Sequence, residues 1–201
     1  METLLEGFRR FRETGFREHA GLFRHLAVVG QRPRAVVIAC CDSRVDPQMI
    51  FGAAPGDLFV IRNVANLVPP YRPDGDYHGT SAALEFAVRE MGIGTVVVLG
   101  HTGCGGIKAM VEGTAGTDFL GSWMRIAAPV RERVLAEPDP AAAAEREAIR
   151  LSLANLLTFP WVAERAAAGT LSLHGCLFDV ARADLLVLDA DGEGGRQRRY
   201  A

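Results

Sequence analysis

The sequence predicts an α/β fold, a mostly parallel central β-sheet flanked by helices, with a helical arm in front of it. Three observations carry that prediction. Runs at 35–40, 57–62 and 95–99 have strand length and nearly continuous apolar character, as strands buried on both faces do. Helical patterning stands between the second and third runs and again after the third, so strand and helix alternate. The chain has 201 residues, 49% of them hydrophobic, enough for one sizeable core, and no long linker divides it. A single domain over 1–201 follows, with an arm at 1–30, a core at 31–190 and a tail at 191–201.

Taken in order, residues 2 to about 28 read as helix. Leu4, Phe8 and Phe11 recur at helical spacing, and Phe16, Leu22, Phe23 and Leu26 extend the apolar side. Phe is costly to expose, so the arm is expected to pack on a partner subunit. Gly30-Gln31-Arg32-Pro33 turns the chain into the first strand. A helix is expected at about 81–91, with Thr80 or Ser81 as its N-cap and Gly92 as its stop. Further helices are expected from Ile107 to about Glu112, at about 118–136, and from Ala141 to Leu157, the last ending near Phe159-Pro160. Leu171–His174 and Leu185–Leu188 read as a closing pair of strands. The Gly- and Arg-rich tail from Asp191 is expected to fray.

A formal net charge of −2 with no basic stripe gives no sign of a nucleic-acid surface. No apolar stretch approaches the roughly 20 residues that span a bilayer. Charges interrupt the N-terminus too often for a signal-peptide core, so a cytoplasmic protein is expected. The four cysteines, Cys40, Cys41, Cys104 and Cys176, lie in a chain too long and apolar to need disulfides, which favours metal ligands or free thiols.

Two strings carry the chemistry. Cys40-Cys41-Asp42-Ser43-Arg44 follows the first strand, and His101-Thr102-Gly103-Cys104-Gly105-Gly106 follows the third. Both stand at carboxyl ends of strands, where open α/β sheets bind ligands. Strand alternation puts Cys40, Asp42 and Arg44 on one face, which selects Cys40 over Cys41 as a ligand. His101 and Cys104, three apart in a turn entering a helix, can reach the same ion. Two thiolates and one imidazole leave the fourth position of a tetrahedral zinc open, as catalytic sites do. Arg44 is expected to keep Asp42 ionised and aimed at a water on the metal, and not ligating it. Thiolates donate more charge than imidazoles, so activity is expected to rise toward alkaline pH.

These strings resemble those of the β-class carbonic anhydrases, in their plant-like branch. Arg62-Asn63-Val64-Ala65-Asn66-Leu67-Val68-Pro69-Pro70-Tyr71, Leu173-His174-Gly175 and the helix around Ser152 to Pro160 extend the likeness over about residues 5–190. The resemblance implies one Zn2+ per chain on Cys40, His101 and Cys104, with Asp42 and Arg44 as the orienting pair. It implies that Gln31 contacts substrate across a homodimer, which can assemble further into a tetramer or octamer. Gly105 would contribute its N–H, and Phe59, Val64 and Phe86 would form an apolar pocket for CO2. The reaction implied is attack of zinc-bound hydroxide on CO2, giving bicarbonate and a proton. The chain also departs from the family. Cys41 replaces a Ser, Phe86 a Tyr, and Cys176 an aromatic residue. Some members carry a bicarbonate switch built from Trp, Arg and Tyr. Here Arg62 is present, but Val37 and Phe178 hold the other two positions, which implies an open site without that switch.

Two other functions fit the same residues: hydrolysis of carbonyl sulfide or carbon disulfide, which relatives perform, and a non-enzymatic zinc or redox role using Cys41 beside Cys40. His19, His25 and His78 read as surface or loop residues, and His174 as a satisfied structural histidine. Lys108 reads as solvated, and Glu85 as a packing or pairing residue within its helix.

Overall fold

A computed structural model describes residues 1–188 and 198–200. Its strands are β1 (Ala35–Cys40), β2 (Leu58–Asn63), β3 (Thr95–His101), β4 (Ser172–Phe178), β5 (Leu185–Leu188) and β6 (Arg198–Tyr200). They form one sheet in the order β2-β1-β3-β4-β5-β6. The first four run parallel, and β5 and β6 close the edge antiparallel. The helices are α1 (Glu2–Glu13), α2 (Gly15–Glu18), α3 (Ala20–Val29), α4 (Pro47–Ile50), α5 (Gly79–Glu85), α6 (Gly105–Glu112), α7 (Leu120–Met124), α8 (Ala128–Val134), α9 (Pro140–Leu156) and α10 (Pro160–Ala167). The predicted α/β class and mostly parallel sheet are what the chain adopts.

The apolar runs divide between two cores by strand alternation. Val36, Ile38, Val96 and Val98 join a cluster with Ile149, Leu153 and Phe159, while Val37, Ala39, Leu99 and Cys176 fill the other face. A third cluster gathers Cys40 and Cys104 with Ile107, Met110, Val130 and Ala144 beneath α6, α8 and α9. Helix α9 crosses β3 and β4 at unusually close range because two glycines lie under it. A Cβ on Gly100 would stand 2.7 Å from Ile149 Cδ1, and one on Gly175 would stand 2.8 Å from Ile149 Cγ2. That approach carries the N-terminal half of α9 over the loop that follows β3.

Several expectations need correction. The arm is three helices, broken at Thr14 and His19. Thr14 Oγ1 bonds back to Arg10 O at 2.8 Å, and the break lets Phe16 and Phe23 stack at 5.4 Å with Phe11 edge-on to both. The helix expected at 118–136 is α7, a 3-10 turn at Arg125–Ala127 and α8, because Pro129 cannot donate into a continuous ladder. Helix α5 starts at Gly79 with His78 at the N-cap, and the Thr80 hydroxyl instead accepts from Asn63 Nδ2 at 3.3 Å. It continues as a wider turn over Phe86–Glu90. Phe159-Pro160 stops α9 and also starts α10, with Pro at the first turn, where its missing N–H costs nothing. His174 is exposed on β4, and its side chain makes no hydrogen bond among the described residues. In the tail expected to fray, Arg198–Tyr200 pairs with β5; 191–197 and Ala201 lie outside the described residues.

Gly100→Ala is expected to lower stability by about 1–3 kcal/mol through overpacking against Ile149. Adding Ile149→Val, which removes the nearest clashing atom, is expected to restore part of the loss. Thermal unfolding of the two variants checks this.

Candidate metal centre

The strand order places the site. The sequence of neighbours β2-β1-β3-β4 reverses direction between β1 and β3, and ligands of such sheets bind beyond the carboxyl ends of the strands at that reversal. Ala39 faces Leu99 across the ladder, so the chains leave the sheet side by side at Cys40 and His101.

Cys40, His101 and Cys104 are buried, with at most 4% of their surface exposed, and their ligand atoms lie within 4.8 Å of one another. The two sulfurs are 3.9 Å apart. Two sulfurs at about 2.3 Å from one zinc at a tetrahedral angle would be about 3.8 Å apart, so the spacing suits that ion. His101 Nδ1 lies 3.0 Å from the Thr102 carbonyl, to which it donates its proton. This leaves the Nε2 lone pair buried with no hydrogen-bond partner. A buried polar nitrogen without a partner is costly, and a metal would satisfy it.

The backbone of Asp42 and Ala65 favours the Cys40 thiolate, and that of Ile107 and Gly106 the Cys104 thiolate. Ala65 and Asn66 take φ of 64° and 47°, left-handed values that cost a non-glycine residue about 1–3 kcal/mol each. The surroundings hold them there. Asn63 donates to and accepts from Leu67, and the Ser152 hydroxyl bridges Asn66 O and Val68 N from α9. Cys40 is pushed toward the thiolate chiefly by the Cys104 thiol, and Cys104 is pushed the other way by Cys40. Burial is the largest influence on His101 and opposes its protonation. Cys40, Thr102 O and Asp42 together outweigh burial and raise its pKa.

Asp42 and Arg44, expected to orient a water, are bonded to each other. Arg44 Nε and NH2 donate to the two oxygens of Asp42 at 2.9 and 2.7 Å, and the Arg44 N–H donates to Oδ1 at 2.9 Å. These bonds hold the Asp42 carboxyl far below the usual carboxylate range, the Arg44 side chain being the main cause. Asp42 Oδ2 stands 3.9 Å from His101 Nε2, beside the ligand cluster and outside it. Arg44 also donates to Gly103 O at 3.0 Å, joining the two strings. Arg62 donates to the carbonyls of Cys40, Asp42 and Val45 at 2.8–2.9 Å and fixes the path of the first string.

Phe59 and Phe86 meet with ring centroids 6.2 Å apart. Val64 stands apart from that pair, on the wall of an apolar cavity of about 700 Å3 with Pro69, Leu120, Trp123 and Ile126. Gly105 is the first residue of α6. Gln31 is exposed on the approach to β1. Cys41 is exposed, and Cys176 is buried with its thiol pushed up to about 11 by burial. Glu85 pairs with Arg89 at 2.7 Å, and Lys108 with Glu112 at 3.8 Å.

Sequence reasoning missed Glu145. It is 7% exposed on α9, and its Oε1 accepts from the N–H groups of Gly103, at 2.7 Å, and Cys104, at 3.2 Å. It clamps the turn between the two ligands, where Gly103 takes φ 67°. The available signal was an acidic residue on the apolar side of a strong helix. Burial raises its carboxyl pKa, opposed by the two N–H bonds.

Residues 35–185 match the family model described as Carbonic anhydrase. Beta carbonic anhydrase 3 of Arabidopsis thaliana is 36% identical over 94% of this chain and 78% of its own length. The chain belongs to the β-class carbonic anhydrases. Members of this class are enzymes that hydrate CO2. Among solved members, the β-carbonic anhydrase CcaA superposes with a TM-score of 0.87 at 36% identity, over 94% of this chain and 87% of its own. A tetrameric β-carbonic anhydrase of Sordaria macrospora gives 0.82 at 27% identity, over 93% and 95%. The Coccomyxa enzyme, solved with acetazolamide, gives 0.75 at 30% identity, over 92% and 85%. In this carbonic anhydrase the Cys–His–Cys cluster is a group that could hold a metal.

Glu145→Ala is expected to weaken zinc binding by about 10–100-fold, as loss of a ligand-orienting partner does. Glu145→Gln, which keeps the carbonyl acceptor, is expected to stay within a few-fold of the parent in competition with a chelator. A folded-state carboxyl pKa above the unfolded value adds stability at low pH, and that contribution is lost as pH rises through the folded value. The metal-free protein is therefore expected to lose stability relative to Glu145→Gln as pH rises above about 4.5, which denaturant titration at several pH values checks.

Proposed function

We propose that this carbonic anhydrase catalyses reversible, zinc-dependent hydration of CO2 at Cys40, His101 and Cys104, in an open form without a bicarbonate switch. The observation that carries the reading is Asp42, a carboxylate held beside the three ligands with both oxygens committed to Arg44. Zinc on the three ligands would supply a Lewis acid able to turn water into a nucleophile near neutral pH. The remaining work belongs to the chain's own groups.

Asp42 accepts a hydrogen bond from the attacking water and aims its lone pair. Arg44 keeps that carboxylate ionised and turned outward, which is why it orients without ligating. Phe59, Val64 and Phe86 offer apolar surface suited to a small molecule without charge or dipole. The Gly105 N–H, at the start of α6 where no intrahelical acceptor is available, faces the developing charge on bicarbonate. Gln31 supplies its amide to the site of a partner subunit. The partner's body would cover Leu4, Phe8 and Phe11, which the single chain leaves exposed. Val37 and Phe178 pack in one apolar cluster, and Arg62 is already engaged by three carbonyls. This supports the reading that no polar bicarbonate pocket forms there.

Stopped-flow CO2 hydration from pH 6.5 to 9, with zinc content per chain, tests the reading. One zinc per chain and a rate rising smoothly with pH are expected. Asp42 contributes nothing to that slope, because a carboxyl held so far down stays ionised throughout the range. A rate near zero below about pH 8 that then appears steeply would instead mean that Asp42 ligates and closes the site. Cys104→Ala is expected to lose zinc. Asp42→Asn is expected to keep zinc and lose about 100-fold or more in kcat, the scale of a positioned catalytic group.

A further inference from the structure

Trp123 stands half-buried on α7, and its indole Nε1–H donates to Val64 O at 2.8 Å. That carbonyl and the Ala65 N–H are the two ends of one planar trans peptide unit, so a bond that fixes one end fixes the direction of the other. The unit opens the left-handed pair Ala65–Asn66. Side chains grip the chain on both sides of it: Asn63 holds Leu67, and Ser152 holds Asn66 and Val68. Trp123 reaches the unit between them.

The unit sits where the two ligand strings meet. Ala65 is fully buried in one cluster with Cys40 and Cys104. Val64 rides on the first turn of α6, just beyond Cys104. A Cβ on Gly106 would stand 2.7 Å from Val64 Cγ1 and 3.7 Å from Ala65 N. Cys104 does most to push Cys40 toward the thiolate, and the Ala65 backbone adds to that push. A carbonyl that accepts a hydrogen bond makes the N–H of its own peptide a better donor. The indole thus acts on the Cys40 side of the cluster as Glu145 acts on the Cys104 side, each through backbone.

We propose that Trp123 is a positioning residue for the metal centre, holding the Val64–Ala65 peptide unit so that Cys40 and Cys104 are set for zinc before the ion arrives. The inference rests on the reading of Cys40, His101 and Cys104 as zinc ligands. Trp123 is no ligand itself, since an indole N–H donates and offers no lone pair. It acts through Val64. Without the indole N–H the left-handed turn is free to shift, which moves Ala65 beside Cys40 and Val64 on Gly106 together. A site whose geometry is preset loses less binding free energy to the ordering of its ligands.

The test is zinc affinity, by competition with a chelator, of the parent, Trp123→Phe and Leu120→Ala, with thermal unfolding of each and proton–nitrogen NMR of the indole groups. Trp123→Phe keeps an aromatic ring and removes the donor. Leu120→Ala removes apolar volume from the same cluster and cavity wall and leaves the donor in place. Trp123→Phe is expected to weaken zinc binding about tenfold, and Leu120→Ala by no more than about threefold at a comparable loss of thermal stability. The chain has 2 Trp, so Trp161→Phe assigns the indole signals. Zinc is expected to move the Trp123 signal and to leave in place that of Trp161, which packs on Phe159. Equal weakening by Trp123→Phe and Leu120→Ala overturns the proposal, because it marks a packing effect. So does an unchanged affinity of Trp123→Phe. So does a Trp123 signal indifferent to zinc, which the parent reports even where Trp123→Phe does not fold. A parent that binds no zinc sinks the metal reading and this proposal with it, whereas tight zinc on the parent with an indifferent Trp123→Phe sinks this proposal alone.

Discussion

The parallel pairing of β1 with β3 is the constraint on which everything else rests. With Ala39 against Leu99, the first string and the second, which begin 61 residues apart in sequence, emerge at one place. A slip of one residue would turn Cys40 to the opposite face and exchange the two cores. The register is protected because both faces are apolar and already filled: Val36 and Ile38 have partners on one side, Val37 and Ala39 on the other. Folding energy from those clusters therefore holds a thiol and an imidazole together where neither would meet on its own account.

Around that meeting point the chain arranges charge in two layers. The inner layer is soft and buried, two sulfurs and an imidazole. The outer layer is ionic, and each member ties down backbone as well as partner. Arg44 spans Asp42 and Gly103 O, Arg62 gathers three carbonyls of the first string, and Glu145 takes two N–H groups of the second. A charged group that also satisfies backbone donors or acceptors fixes geometry more firmly than an ion pair alone. The left-handed pair Ala65–Asn66 belongs to the same scheme, since Asn63 and Ser152 hold the backbone on either side of it.

The arm shows a different balance. Its helices bury none of their residues fully, and its three clustered Phe rings pack mainly on one another. A surface of this kind is settled by what covers it, which is why the proposed homodimer and the proposed role of Gln31 stand or fall together.

By itself the sequence determined five of the six described strands, to within a residue or two at most ends, and the identity of the cluster that could bind metal. Strand signals survive because a strand buried on both faces must be apolar throughout, and soft ligands placed directly after such runs have few other uses. The Asp42–Arg44 pair was legible for the same reason, being local and two residues apart. Tertiary structure alone decided Glu145 and the close approach of α9. Glu145 acts on Gly103 and Cys104 some 41 residues away, and periodicity cannot say which turn a buried carboxylate will meet. Gly100 and Gly175 are ordinary strand glycines until Ile149 is packed on them. Local chemistry is written in the chain, whereas contacts between distant elements depend on packing distances that no short stretch of sequence contains.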